Sequence, residues 1–197
     1  MRRRRPLLVL GAVLAATLAA CSAGPESGSS TPASPTVSSS PSATGVPSEV
    51  PDLERLLPDV IGGEITRKAS MTGQSLIETS SADQTFIDFI DRLGVASADV
   101  GVAYAIADGM QVQAVAYRVA GVETGILLDE LQASVGTDQA GAEVTWEDVE
   151  LEGRSVRRGT AAGATDASIY LYGHEDIVFI IIAADPELAG GVAAGLP

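Results

Sequence analysis

Val100 to Ala107 alternates without interruption. Val100, Val102, Tyr104 and Ile106 are bulky; Gly101, Ala103, Ala105 and Ala107 are small. Period-two alternation over eight residues commits the stretch to a β-strand with one bulky and one small face. The small face, continued by Ala114, would let a helix approach closely. Asp108-Gly109 follows as a two-residue hairpin signal. Closure there sets Val102 opposite Val115, Val100 opposite Tyr117 and Asp99 opposite Arg118. The fold is therefore expected to grow around an antiparallel pair.

Upstream, Asp52 to Leu57 reads as a short helical segment closed by Pro58, and Gly62-Gly63 opens a strand over Glu64 to Met71. Thr72-Gly73-Gln74-Ser75 reads as a polar loop. Ser81-Ala82-Asp83-Gln84 has capping-box spacing. Phe86, Ile87, Phe89, Ile90 and Leu93 then follow helical periodicity to a stop at Gly94. Asp88 and Arg92 fall at i,i+4 on the wet face. Glu123 to Val135 is a second helix, with Ile126, Leu127 and Leu131 expected inward and Gly136 as its stop.

Downstream, Val144 and Trp146 share a strand face. Glu152-Gly153 is a hairpin turn that would set Val149 opposite Val156, Asp148 opposite Arg157 and Glu147 opposite Arg158. Two of these pairs are of opposite charge, which supports that register. Ser168 to Tyr172 and Ile177 to Ala184 form a further hairpin around Gly173-His174. Ile177 to Ile182 is continuously apolar, as in a strand covered on both faces. Pro186 to Ala194 is a closing helix with proline in its first turn. The expected class is α+β: a mostly antiparallel sheet with helices packed on one face, in the order β-α-β-β-α-β-β-β-β-α.

The first fifty residues differ in kind. Arg2 to Arg5 precede an apolar run, Pro6 to Ala20, which ends at the chain's single cysteine, Cys21. That run is short against the roughly 20 residues needed to span a bilayer and suits a signal h-region. Leu18-Ala19-Ala20-Cys21 resembles the lipobox of bacterial lipoproteins. The resemblance implies removal of residues 1–20 and attachment of thioether-linked diacylglycerol to Cys21. A lone cysteine fits export, since no unpaired thiol would remain. Of the 29 residues from 22 to 50, 24 are Ser, Pro, Thr, Gly or Ala. Such a segment cannot bury enough apolar surface to offset its chain entropy. Residues 21–50 are expected to be the lipidated cysteine and a disordered tether, about 30 Å long as a coil and toward about 90 Å if polyproline-like. Residues 51–197 are expected to be one globular domain.

The chain carries 12 basic and 26 acidic residues, net −14. Loss of the four N-terminal arginines leaves eight basic residues and a net charge of −18. That surface repels nucleic-acid phosphates and anionic headgroups, so no nucleic-acid partner is expected.

Residues that could carry chemistry are few. His174, beside Glu175 and Asp176, is either a general base or weak metal ligand, or a solvated turn residue; the turn is the reading preferred here. One histidine and no mature free cysteine argue against a Cys/His zinc site. No G-x-S-x-G, G-x-G-x-x-G or P-loop is present. Glu147, Asp148, Glu150 and Glu152 form the densest acidic cluster, without the pattern of a calcium loop. It reads as a solvated face neutralised by Arg154, Arg157 and Arg158. No catalytic, cofactor-binding or metal-binding residue is therefore assigned.

Beyond the signal, Leu57-Pro58-Asp59-Val60-Ile61-Gly62-Gly63 and Ser70-Met71-Thr72-Gly73 resemble secreted actinobacterial-type lipoproteins of unassigned function. Tyr170-Leu171-Tyr172 and Ile177-Val178-Phe179 are similar to their late strands. The resemblance covers about residues 53 to 197 and carries no catalytic residues. Together these readings imply a non-enzymatic, lipid-anchored domain outside the cytoplasmic membrane. Its partners would be the membrane, through Cys21, and an envelope protein or small ligand. The alternative is a lipid or small-ligand carrier with an apolar cavity.

Overall fold

The last strand in sequence organises the molecule. Ile177–Ala183 is buried along both faces, so apolar layers must lie on each side of it. A computed structural model of the chain describes residues 47–79, 81–107, 112–136, 144–161 and 167–197. Cys21 and the expected tether lie outside the described residues.

The described elements run α1 (Pro51–Glu54), β1 (Val60–Ile61), β2 (Glu64–Ile65), β3 (Arg67–Thr72), α2 (Gly73–Glu78) and α3 (Gln84–Leu93). A 3-10 turn then leads into β4 (Val100–Ala107), β5 (Val112–Val119), α4 (Thr124–Gly136), β6 (Val144–Leu151), β7 (Arg154–Ala161), β8 (Ser168–His174), β9 (Ile177–Ala183) and α5 (Pro186–Ala194). β1 and β2 form a small hairpin of their own. The other seven strands make one antiparallel sheet in the order β3-β4-β5-β9-β8-β7-β6. The class is α+β, and the order approximates the expected one: the helical entry is present as α1 but ends at Glu54, the expected strand Glu64 to Met71 is divided into β2 and β3, and β1 and α2 are added.

The expectation of helices on one face is corrected: they divide between two. Leu53, beside α5's Ala189, Val192 and Ala193, packs over the small face with Ala103, Ala105, Ala114 and Ala116. Leu76, Phe89, Ile90, Leu127 and Leu131 from α2, α3 and α4 pack over the opposite face with Val100, Val102, Val178 and Ile180. A central strand apolar on both sides forces the split. The small residues let α1 sit close: a Cβ built on Gly101 would lie 3.4 Å from a Val50 methyl and 3.7 Å from a Leu53 methyl.

Local signals decide most element ends. α3 begins after Asp83, whose carboxylate accepts from the Phe86 amide at 2.9 Å. Asp83 rather than Ser81 is thus the cap, and Gln84 bonds Asp88 instead. α3 stops at Gly94, which adopts φ +67°. The stretch read as a polar loop is α2, capped by the Thr72 hydroxyl on the Ser75 amide. Ile126 faces outward, 52% exposed, although Leu127 and Leu131 are buried.

Registers divide instructively. β6 and β7 pair as expected, Glu147 with Arg158, Asp148 with Arg157 and Val149 with Val156. Glu152 and Gly153, at φ +49° and +76°, make the two-residue turn. β4 and β5 are offset by two from expectation, with Val102 opposite Tyr117, Val100 opposite Val119 and Gly101 opposite Arg118. The offset preserves every face, sets Val119 against Val100, and leaves only Gln113 as a polar partner on the bulky face. The Asp108-Gly109 turn itself lies outside the described residues. In the β8–β9 hairpin the turn is Glu175-Asp176, and His174 is a strand residue opposite Ile177.

Candidate functional site

Leu18, Ala19, Ala20 and Cys21 lie outside the described residues, so the candidate lipidation site has no described geometry. His174 ends β8. Its Nδ1 lies 3.3 Å from the Tyr172 hydroxyl, and the two rings stack with centroids 6.1 Å apart. Arg154 lies over the same Tyr172 ring, 5.0 Å from its centroid, and donates to the Tyr172 hydroxyl at 2.7 Å and to the Leu196 carbonyl at 2.7 Å. It also donates to Pro197. This corner ties β7 and β8 to the segment after α5, and Arg154 is spent on that task.

That allocation corrects the reading of the acidic cluster. Of the three arginines expected to neutralise it, only Arg158 does so directly, by pairing with Glu147. That contact holds the guanidinium above its ordinary pKa. Arg157 stands opposite Asp148 in register, yet its guanidinium reaches Asp129 on α4 at 2.6 Å and Gln132 at 2.7 Å. Neither Asp148 nor Glu150 has an ion-pair partner among the described residues, and both side chains are exposed. Two other expected pairs are likewise redirected. Arg92 bonds Glu130 at 2.9 Å rather than Asp88, and Arg118 bonds Asp52 at 2.6 Å rather than Asp99.

The two edges of the large sheet are finished differently. At the β3 edge, residues 47–50 lie alongside the strand. The Ser70 amide donates to the Pro47 carbonyl at 2.9 Å, and the Ser70 carbonyl accepts from the Glu49 amide at 3.0 Å. The fully buried Ser70 hydroxyl accepts from the Val50 amide at 2.9 Å. The Glu49 carboxylate accepts from the Thr72 amide at 3.0 Å, a bond that leads in holding the Glu49 pKa below its ordinary value. Beside this strap, Lys68, the only lysine, donates to the Leu57 carbonyl at 2.5 Å and binds Asp59 at 2.6 Å, fixing the end of the α1 segment.

At the β6 edge no described segment lies alongside. A two-residue turn makes Leu151 and Arg154 a hydrogen-bonded pair. The alternation of an antiparallel ladder then directs the amides and carbonyls of Val144, Trp146, Asp148 and Glu150 away from β7. Their side chains all lie on the α4 face of the sheet. Trp146 is half-buried there, stacked over Gly159, where a Cβ would come within 2.8 Å of the indole. The edge thus presents outward backbone groups flanked by one indole and two unpaired carboxylates.

A surface groove of about 450 Å³ lies between α3 and α4, lined by Arg92, Leu93, Val122, Glu123, Ile126 and Glu130. Among the described residues, no group of three or more His, Cys, Asp or Glu is placed to hold a metal ion, and no helix is long and apolar enough to cross a membrane.

Comparison with known proteins adds no identity: no family model, no curated protein and no solved structure matches this chain. The strap and the open edge were not foreseen from sequence. Their signal was weak but present. Val46 and Val50 bracket a short polar stretch before α1, and Asp148 and Glu150 alternate on the one strand face whose cross-strand arginine has a competitor on α4.

Proposed function

We propose that the chain is a lipid-anchored lipoprotein on the outer face of the cytoplasmic membrane, whose folded domain binds a partner at the cell envelope without transforming it. The observation that carries this reading is Leu18-Ala19-Ala20-Cys21 at the end of a basic-then-apolar N-terminus. Two or more acyl chains on Cys21 give an anchorage that a single chain does not. The acidic domain then relies on its lipid, not its charge, to stay near a surface. The role as a binding domain is supported by the allocation of Arg154, Arg157 and Arg158 to holding elements together, and by an edge that displays recognition groups instead. His174 belongs to the same corner as Arg154, held against the Tyr172 hydroxyl.

The test is metabolic labelling of the full chain with an alkynyl palmitate in a bacterial host. Label should appear on the wild-type chain and vanish in Cys21→Ala, with the variant released from the membrane fraction. Equal labelling of the variant, or none of the wild type, contradicts the anchor.

The second reading is a small-ligand carrier, for which the open groove between α3 and α4, with Leu93, Val122 and Ile126 beside Arg92, Glu123 and Glu130, is the candidate site. Native mass spectrometry after exposure to host extract separates the two, through a bound small molecule that Ile126→Glu abolishes.

A further inference from the structure

We propose that the β6 edge receives an extended, basic segment of an envelope protein as an eighth, antiparallel strand of the sheet. The inference rests on the reading of the domain as a binding module and names what it binds.

The geometry specifies the partner. An added strand would hydrogen-bond to the outward groups of Trp146, Asp148 and Glu150. Its residues opposite these three would project on the same sheet face as their side chains. Asp148 and Glu150 have no described ion partner: α4's Asp129 and Gln132 take Arg157 from opposite Asp148, and Glu150 stands opposite Ser155. The segment therefore carries Lys or Arg opposite Glu150 and again, two residues on, opposite Asp148. Two residues further it carries an apolar side chain, to cover the indole of Trp146. On the other face its residue between the two basic ones meets Val149, half-buried against the core, and is apolar. The next meets Glu147, already paired with Arg158, and needs no charge. The recognised pattern is basic–apolar–basic–any–apolar.

A second copy of this chain meets like charge when the pair is centred on Asp148 or on Val149. Antiparallel pairing of two β6 strands centred on Asp148 sets that carboxylate against itself. Pairing centred on Val149 sets Asp148 against Glu150. Like charges directly opposed destabilise a strand pair. Nor does the opposite edge compete, because residues 47–50 occupy the groups of Ser70 there.

Trp146 is the only tryptophan in the chain and sits on this edge, so its fluorescence reports occupancy directly. The probe is a capped heptapeptide, Thr-Lys-Val-Lys-Thr-Val-Thr, titrated into the full chain in detergent. Saturable change in Trp146 emission is expected. N-methylation of the two lysine amides, which face β6, should weaken binding at least about tenfold; methylation of the Val and Thr amides at peptide positions three and five, which face solvent, should leave it within about threefold. These peptides test the strand geometry with no change to the protein. Asp148→Lys with Glu150→Lys should also weaken binding at least about tenfold, while a peptide with glutamate in place of lysine gains on that variant. Equal losses from the two methylation patterns, or indifference to charge reversal, would overturn the proposal. So would the absence of any emission change, or sedimentation of the chain as a dimer that the charge reversal dissociates. None of these outcomes alters palmitate labelling at Cys21, so failure here is distinguishable from failure of the anchor.

Discussion

At the β3 edge, four residues of the chain's own N-terminal side lie along the strand and occupy the Ser70 amide, carbonyl and hydroxyl. At the β6 edge, the outward groups of Trp146, Asp148 and Glu150 meet no described segment. Charge on an edge strand is a recognised way of preventing indiscriminate sheet extension. Here Asp148 and Glu150 disfavour self-pairing centred on Asp148 or Val149 and complement a basic strand. One edge is closed by covalent continuity and the other is gated by charge.

The largest effect separating the two regions is expected from their glycines. A Cβ on Gly73, directly after β3, would lie 2.7 Å from the Ser97 carbonyl oxygen, backbone that has little freedom to retreat. A Cβ on Gly159 would lie 2.8 Å from the Trp146 indole, a side chain on an open edge that can swing outward. Gly73→Ala should therefore cost about 3 kcal/mol in urea denaturation and Gly159→Ala about 1 kcal/mol, with a red shift of tryptophan emission only in the latter. Equal costs would break the contrast between a fixed and a yielding edge.

A smaller effect is expected at Ser70. Ser70→Ala removes the partner of the Val50 amide at a fully buried side-chain position, for a loss of about 1–3 kcal/mol. Hydrogen exchange should speed up at Val50 and Glu49 and stay unchanged in β6. Spread of the effect to β6 would show the edges to be coupled.

The smallest effect comes with acid. Glu49 is held below its ordinary pKa first by the Thr72 amide, and Asp52 first by Arg118. A lowered carboxylate contributes stability that is present above its unfolded pKa and is lost as pH falls through the folded value. Both groups are exposed, so the strap should loosen only modestly, and only below about pH 4. Amide exchange at Thr72 followed between pH 6 and 3 checks this. Loosening that begins near neutrality would contradict it.

Where pattern and turn chemistry coincide, the fold was legible in the sequence. The β6–β7 register follows from Glu152-Gly153 and the opposed charges around it, and α5 keeps its expected bounds, Pro186–Ala194. Parity survives where register does not. A two-residue slip between β4 and β5 moves no side chain to the wrong face, so alternation alone cannot detect it. Long-range competition was not legible. Arg157 prefers Asp129, 28 residues away, to its cross-strand neighbour Asp148, and that choice leaves Asp148 without an ion partner among the described residues. Ile126 was misplaced because α4 carries apolar residues at 126, 127, 128 and 131, so its inward face is set by the sheet rather than by periodicity. Of the candidate sites, Leu18-Ala19-Ala20-Cys21 is read from sequence alone as a resemblance and lies outside the described residues, whereas the β6 edge became visible only once the neighbours of Arg157 and Arg154 were known.

The most direct test of the account is amide hydrogen exchange on the full chain, resolved by residue along β6 and β3, with and without the lysine heptapeptide. The account predicts fast exchange at Trp146, Asp148 and Glu150, slow exchange at Thr145, Glu147, Val149 and Ser70, and protection of the first three alone when peptide is added. Uniform protection along β6 before peptide, or peptide-induced protection at β3 instead, would contradict it.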